Sequence, residues 1–505
     1  MSAESHSEVR RSEGSGWQVF MIAAASAFSP LMVWANAGES PNLLDLLLAF
    51  AVVFSIAVLL RYLLVRIGLD PLGSTYATSF VILAITNMGN LLSKFPLGRA
   101  GALILALAIA LIAYRLRHLA AFRVVMTWLA FVLLVYPVVT IVGRSGSDPE
   151  QLANLEADLV VSGMATKPDV VVIVLDAYGG TGVLEKFYDF DNIPFLSELS
   201  DLGFDAGEAV SANYARTQLS IPSVLQMDYI TGEGAFSEGD VRGLFRVISG
   251  ENNMVHALKN EGYRHVYVES GWLGTICGPE VDVCVKSRWP DETVYDFAYR
   301  TLLRNVPGFE IGRSFTEGAL DVMEWIDSEL PSYLDDDQPD IIFIHLLIPH
   351  PPMFLAADCA ADWRGGIPGF AMGRPGMDER SSAVVRAAYI EQVKCVNSVL
   401  LRFARNLNPD DVVLIMGDHG PDSQGQLFLL GTAWSEDQRS ERFDVFFAAR
   451  VPGCDMSSIE SLVNAGRRAL SCLSQDQFAD LPTQRFDMET SPWGSRVFKL
   501  EEPVS

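Results

Sequence analysis

No cysteine precedes Cys277, and no two of the six are spaced as Cys-x-x-Cys. That spacing argues against a cysteine zinc site. Basic residues are short as well: 37 Lys+Arg stand against 62 Asp+Glu, a net charge of −25. The first 166 residues carry ten of each sign, so the whole deficit falls on residues 167–505. An acidic globular region repels nucleic acid and anionic bilayer surfaces, which removes nucleic acid from the expected partners. No internal repeat or low-complexity tract interrupts the 505 residues, a length that allows two domains. Histidine is scarce, seven in all, and His345, His350 and His419 fall near predicted strand ends.

The first third instead carries long apolar runs, roughly 17–36, 43–65, 74–93, 100–114 and 120–143. The second and fifth are long enough for a ~30 Å hydrocarbon core, which takes about 20 residues. A cleaved signal peptide accounts for one such run, not for five. Arg10 and Arg11 precede the first run, Arg61 and Arg66 close the second, and Arg115, Arg117 and Arg123 separate the fourth from the fifth. The alternate loops hold Glu39 in one case and Lys94 and Arg99 in the other. The positive-inside rule then keeps the N-terminus in the cytoplasm, and five spans place everything after Arg144 outside. The expected divisions are a cytoplasmic tail at 1–16, a five-helix transmembrane domain at 17–144, a linker at 145–166 and an extracytoplasmic domain at 167–505.

Cys277, Cys284, Cys359, Cys395, Cys454 and Cys472 all lie in that outer part. An even number confined to one region suits disulfides in an oxidising compartment. Sequential pairing, 277–284, 359–395 and 454–472, is the simplest connectivity, and buried free thiols are the alternative.

From Pro168 onward, apolar β-branched runs alternate with helical patterns. Strands are expected over Val170–Leu175, Arg264–Glu269, Ile341–Leu347, Val412–Met416 and Asp444–Ala449. Helices are expected over Asn192–Leu202, Thr217–Gln226, Asn253–Asn260, Thr316–Glu329 and Ser382–Arg405, with a short one over Asp148–Leu159 in the linker. After Leu481 the periodicity fades into loop or a peripheral strand over Ser495–Leu500. Continuous Val/Ile/Leu strands separated by helices indicate an α/β fold with a mostly parallel sheet covered on both faces. Ligands of such sheets bind beyond the carboxyl ends of the strands.

Asp176, His350 and the pair Asp418-His419 stand at those ends. Carboxylate and imidazole together suit a divalent metal. Each also has a plainer reading: Asp176 as a helix cap, Asp418-His419-Gly420 as a capping turn with a core histidine, His345 as a core histidine within its strand. Thr217 opens a helix, whose free N–H groups and positive end favour an anionic oxygen or an attached phosphate or sulfate. Its hydroxyl is a poor nucleophile at neutral pH unless a metal lowers its pKa, and a helix cap is again the plainer reading. Arg442, ahead of the last strand, supplies positive charge to the site or to a surface ion pair.

Asp176 after the first strand, Tyr214-x-x-Thr217-x-x-Ser220-x-x-Ser223, His345-x-x-x-Pro349-His350-x-Pro352 and Gly417-Asp418-His419-Gly420 resemble the sulfatase branch of the alkaline phosphatase superfamily. In order and spacing they look most like its membrane-bound members, the lipoteichoic acid synthase-like phosphoglycerol transferases and the lipid A phosphoethanolamine transferases. The resemblance implies an alkaline-phosphatase-like α/β/α sandwich behind five transmembrane helices, in the bacterial inner membrane with the catalytic domain in the periplasm. It implies Mn²⁺ or Zn²⁺ held by Asp176, Asp418, His419 and Thr217, with Thr217 the nucleophile and His350 and His345 contacting substrate. A membrane phospholipid would be the donor and an envelope glycan or lipid the acceptor; a membrane-tethered hydrolase of phosphate or sulfate esters is the alternative. Two departures stand out. Ser220-Ile221-Pro222-Ser223-Val224 lacks the arginine of the formylglycine motif, and Pro421–Leu430 lacks the further histidine of the phosphoethanolamine transferases.

Overall fold

The protein is seen in a computed structural model. It describes residues 17–32, 43–87, 98–145, 159–207, 210–230, 234–236, 238–272, 274–286, 312–363, 366–367, 372–373, 377–429, 431–491 and 494–500. The tail at 1–16 and nearly all of the linker helix expected over Asp148–Leu159 lie outside them. The chain divides into two compact units.

Among the described residues the first contains the helices α1 (Trp17–Met32), α2 (Leu43–Arg66), α3 (Pro71–Thr86), α4 (Gly98–Leu116) and α5 (Ala120–Ser145). Two stretches, Leu47–Arg66 and Ala120–Val139, are long and apolar enough to cross a membrane, while the remaining three apolar helices are shorter. A helix thus lies in each apolar run, but among the described residues two of the expected five have spanning length. Their polarity is inverted relative to a water-soluble bundle. Leu47, Val52, Ile56, Leu59 and Leu63 of α2 and Val124, Val125, Trp128, Phe131 and Val132 of α5 face outward, whereas Ser26, Ser29, Ser74, Thr78 and Ser79 are buried. Apolar side chains outside and small hydroxyl residues between helices is the packing that a lipid solvent favours.

The second unit is built on a seven-stranded sheet. In chain order its strands and their smaller companions are β1 (Val170–Leu175), β2 (Asp205–Ala206), β3 (Val210–Ser211), β4 (Gly234–Phe236), β5 (Arg264–Val268), β6 (Val283–Val285), β7 (Asp340–Leu346), β8 (Val412–Gly417), β9 (Asp444–Val445), β10 (Phe447–Arg450), β11 (Phe486–Ser491) and β12 (Gly494–Lys499). The main sheet runs β2-β10-β8-β1-β7-β5-β6. β8, β1, β7, β5 and β6 are mutually parallel, and β10 and β2 join antiparallel at one side. The single strand expected over Asp444–Ala449 is therefore two, β9 pairing with β3 outside the main sheet.

Alternation along β1 separates two cores. Val171, Ile173 and Leu175 pack with α6 (Thr181–Tyr188), α7 (Ile193–Asp201), α10 (Gly312–Ser328) and α11 (Glu379–Arg405). Val170, Val172 and Val174 pack with α8 (Thr217–Gln226), α9 (Asn253–Asn260) and α13 (Val463–Leu473). A further helix, α12 (Glu436–Phe443), leads into β9.

The peripheral strand expected over Ser495–Leu500 is β12, and the preceding strand β11 was not expected. β11, β12 and β4 form a separate antiparallel sheet. Phe486, Asp487 and Met488 are all buried while Glu489 is exposed, so the first half of β11 shows no period-two pattern.

Disulfides join Cys277–Cys284, Cys359–Cys395 and Cys454–Cys472, the sequential pairing. The second ties the loop after β7 to buried Cys395 on α11. Chain-entropy arguments assign a loop of its 36-residue separation about 3–4 kcal/mol. The C359A/C395A double variant should lose that much stability in urea unfolding; an unchanged midpoint would show that α11 alone anchors the loop.

Candidate active site

Three neighbouring parallel strands place their polar ends on one face. The register pairs Leu175 with Gly417 and with Leu346, and Val174 with His345. Side chains two apart share a face, so Asp176 follows Val174, Asp418 follows Met416, and His345 follows Phe343. All three lie on the side covered by α8, α9 and α13. Near the start of α8, the Ser220 hydroxyl donates to Asp418 O at 2.6 Å. The Ser220 hydroxyl is thereby occupied in bracing the Asp-His-Gly turn, while the Thr217 hydroxyl faces His419 Nε2 at 3.1 Å.

Backbone geometry fixes the two turns. Asp418 Oδ1 accepts from Ala177 N at 3.0 Å and from His419 N at 2.8 Å. Gly420 is obligatory, because a Cβ there would come within 1.9 Å of Glu441 O. His419 Nδ1 donates to Gly420 O at 3.0 Å. A carbonyl can only accept, so the proton resides on Nδ1 and Nε2 keeps its lone pair. That lone pair stands 3.6 Å from Asp176 Oδ1 and 3.5 Å from Asp418 Oδ2. His345 Nε2 approaches Asp176 Oδ2 at 3.8 Å from the other side.

Asp176 Oδ1, Asp418 Oδ2 and His345 Nε2 are all buried without a hydrogen-bond partner. Burial pushes both carboxyl groups up to about 7, the neighbouring Asp176 adding to the rise at Asp418. Burial also lowers His345 to about 3, helped by His350, and holds His419 well below its ordinary value, with Arg442 and His350 adding to it. Lone pairs from carboxyl oxygens and neutral imidazoles thus converge in a buried site, with the Thr217 hydroxyl at its edge. Ligand atoms of Asp176, His345 and Asp418 lie within 4.8 Å of one another. Carboxylate oxygens and imidazole nitrogens at this spacing fit a divalent cation, which would compensate the buried charge.

The remaining expected residues are arranged around this centre. His350 follows the cis Ile348–Pro349 bond, its ring centroid 6.4 Å from that of His419. Gln392 on α11 holds the loop, donating to Pro349 O at 3.1 Å and His350 O at 3.2 Å. Arg442 is only 4% exposed. Its Nε donates to Ala215 O at 2.8 Å and its Nη1 to Gly420 O at 2.6 Å, so it links the segment before Thr217 to the Asp-His-Gly turn.

Three residues near the centre were not singled out from the sequence. Asp422 accepts from Met372 N at 3.1 Å through Oδ1, while its Oδ2 is buried and unpartnered. Burial raises its pKa to about 6, against the pull of Arg442. Its position, three residues past His419, was a usable signal. Arg216 adjoins Thr217 and was passed over as part of the approach to the helix. Asp487, in the C-terminal segment without periodicity, offered no local signal.

The sulfatase family model matches residues 168–449. That span exceeds half of the chain and includes the whole centre just described, so the chain belongs to the sulfatase family. It is an enzyme acting on phosphate or sulfate esters. No curated protein matches the chain by sequence. Similar solved structures include the integral membrane protein lipooligosaccharide phosphoethanolamine transferase A from Neisseria meningitidis, at 14% identity and TM-score 0.39, covering 91% of this chain and 95% of that one. The phosphonate monoester hydrolase from Silicibacter pomeroyi is 11% identical with TM-score 0.43, covering 67% and 81%. The C-terminal periplasmic domain of EcEptC from Escherichia coli is 13% identical with TM-score 0.39, covering 65% and 93%. At such values these likenesses decide neither substrate nor reaction.

The raised carboxyl groups make metal binding pH-dependent. With folded pKa values of about 7 above the unfolded ones, the metal-free protein gains stability from protonating both at low pH and loses it as pH rises through 7. A divalent cation competes with those protons. Mn²⁺ or Zn²⁺ should therefore raise Tm more at pH 8 than at pH 5. At a hundred times Kd the gain is about 2.7 kcal/mol, roughly 5 °C for a domain of this size. Equal gains at both values would place the bound ion elsewhere.

Proposed function

We propose that the protein is a membrane-bound, metal-dependent transferase. It takes a phosphorylated head group from a membrane phospholipid onto Thr217 and passes it to an envelope glycan or lipid. The observation that carries this reading is the Thr217 hydroxyl at a helix start, 3.1 Å from His419 Nε2, beside buried lone pairs of Asp176 and Asp418 without hydrogen-bond partners. Asp176, Asp418 and His419 would hold the cation with Thr217 as a further ligand, and His345 borders Asp176 on the opposite side. When bound, a divalent ion lowers the pKa of a coordinated hydroxyl and offsets phosphoryl charge.

The chemistry runs in two displacements. The Thr217 oxygen bonds to phosphorus as the bond from phosphorus to the glycerol oxygen breaks, and the proton lost from Thr217 ends on the departing diacylglycerol. An acceptor hydroxyl then attacks the phosphorus, the bond to Thr217 breaks, and the acceptor's proton returns to the threonine. The free N–H groups at the start of α8 stabilise the anionic oxygens in both steps. His350 faces the incoming group from the cis-proline loop, and Arg442 keeps the two catalytic turns in register from beneath. Five spans at 17–144, a linker at 145–166 and a periplasmic domain at 167–505 would bring a lipid donor within reach of the centre.

Thr217→Ala should lower turnover of labelled phospholipid by orders of magnitude, since no covalent intermediate forms without that oxygen. The domain should stay folded, because Arg216 rather than Thr217 is the cap residue of α8 and the change removes no capping bond. Thr217→Ser should keep part of the activity. Diacylglycerol release that depends on an added acceptor supports transfer; release with water alone points to an ester hydrolase, and near-normal activity of Thr217→Ala would remove the covalent route.

Orientation has its own test. A periplasm-dependent alkaline phosphatase fused at the C-terminus should be active, and a cytoplasm-dependent reporter there silent. The reverse pattern would overturn the five-span topology.

A further inference from the structure

The turn bearing Thr217 is supported by the far end of the chain. Ala215 N donates to Phe486 O at 3.0 Å, Phe486 N to Asn213 O at 2.9 Å, and Asn213 Nδ2 to Gln484 O at 3.0 Å. The rings of Tyr214 and Phe486 stack with centroids 5.2 Å apart. One residue further on each segment stand Arg216 and Asp487, with Arg216 Nε 3.6 Å from Asp487 Oδ1. The carboxylate is deeply buried, whereas 28% of the arginine side chain is exposed. Both facing atoms are buried without a hydrogen-bond partner. The 3.6 Å separation is longer than an ordinary charge-assisted hydrogen bond.

This arrangement differs from a structural ion pair. Arg–carboxylate pairs that lock a fold are commonly bidentate at ordinary hydrogen-bond length, whereas here one carboxylate oxygen approaches one nitrogen at 3.6 Å. The fork that suits tetrahedral oxyanions is steered but not consumed. Arg216 is also the residue before the proposed nucleophile, on extended backbone at φ −141° and ψ 138°. Arg442, the other guanidinium nearby, already spends two nitrogens on backbone carbonyls.

We propose that Arg216, steered by Asp487 of the C-terminal hairpin, is the cation that receives the free oxygens of the phosphate or sulfate group presented to Thr217. The substrate site is then incomplete without β11, which lies beyond the family-matched residues 168–449. The inference rests on the ester-transfer reading of the centre. It adds a substrate contact and a positioning residue to it.

The test is calorimetric titration of inorganic phosphate, and separately inorganic sulfate, into the full-length Mn²⁺-loaded protein in detergent. Phosphate affinity should fall at least tenfold in Arg216→Gln, about 1.4 kcal/mol, with Mn²⁺ affinity within about twofold of wild type; Arg216→Lys should lie between. Arg216→Met, which keeps the apolar stem, gives the same reading if the Gln variant melts early. Asp487→Asn should weaken phosphate binding in the wild-type background and add nothing to Arg216→Gln, because it acts through the arginine. Sulfate tested in parallel shows which anion the fork prefers, and equal loss of both in Arg216→Gln is the expected result. Unchanged phosphate affinity in Arg216→Gln and Arg216→Met would overturn the inference. An additive effect of Asp487→Asn would overturn the steering role. Asp418→Asn separates the two levels: it should abolish Mn²⁺ binding, and unaltered Mn²⁺ binding there would bring down the metal-centre reading and this inference with it.

Discussion

Two carboxyl groups and two neutral imidazoles meet at the buried end of this sheet, where Asp176 Oδ1, Asp418 Oδ2 and His345 Nε2 are enclosed without a hydrogen-bond partner. Such a cluster is costly to bury unless a cation compensates it. The surrounding architecture makes sense as a means of holding these atoms close despite their repulsion. Parallel pairing sets Leu175 beside Gly417 and Leu346, so the residues that follow emerge side by side. No loop rearrangement is required to bring the carboxylates together. Strand register alone does it.

The supports behind the centre are mostly buried polar groups that act on backbone. Arg442 bridges Ala215 and Gly420, and Gln392 grips the carbonyls of Pro349 and His350. The Tyr389 hydroxyl donates to Ala177 O at 2.8 Å and accepts from Gly179 N at 3.2 Å. Buried Glu441 accepts from the Tyr188 hydroxyl at 2.7 Å, Ser423 N at 2.9 Å and Gln426 Nε2 at 3.0 Å. Each clamps a loop that leaves a strand end. A site assembled from several loops needs this bracing, since small misplacements of reacting groups are costly in rate.

The two units are matched to different surroundings. The first turns apolar side chains outward and small hydroxyl residues inward, while the second encloses two apolar cores around one sheet and carries the acidic excess of the chain. A surface of that charge has no attraction to an anionic bilayer. Two of the first unit's helices have the length and apolarity to cross one.

Strand identity and the metal-type residues were legible in the sequence because they are local. Val170–Leu175 is a continuous apolar run ending in Asp176, and Val412–Gly417 repeats the pattern before Asp418-His419-Gly420, which names the strands and the end that carries chemistry. Thr217–Gln226 and Asn253–Asn260 likewise follow from local pattern, and their observed bounds agree. Other features depended on partners far away in the chain. The run at Asp444–Ala449 split because Val445 pairs with Val210 while Phe447 pairs with Met416. Arg442, expected to bring charge to the site or to a surface ion pair, is instead buried on two backbone carbonyls. In the C-terminal hairpin only the strand near Ser495–Leu500 was legible, because Phe486, Asp487 and Met488 are buried in succession and leave Asp487 with no alternating pattern around it. Composition and periodicity report which surfaces a segment must bury; which side chain then meets which, across 271 residues in the case of Arg216 and Asp487, is settled only when the chain closes on itself.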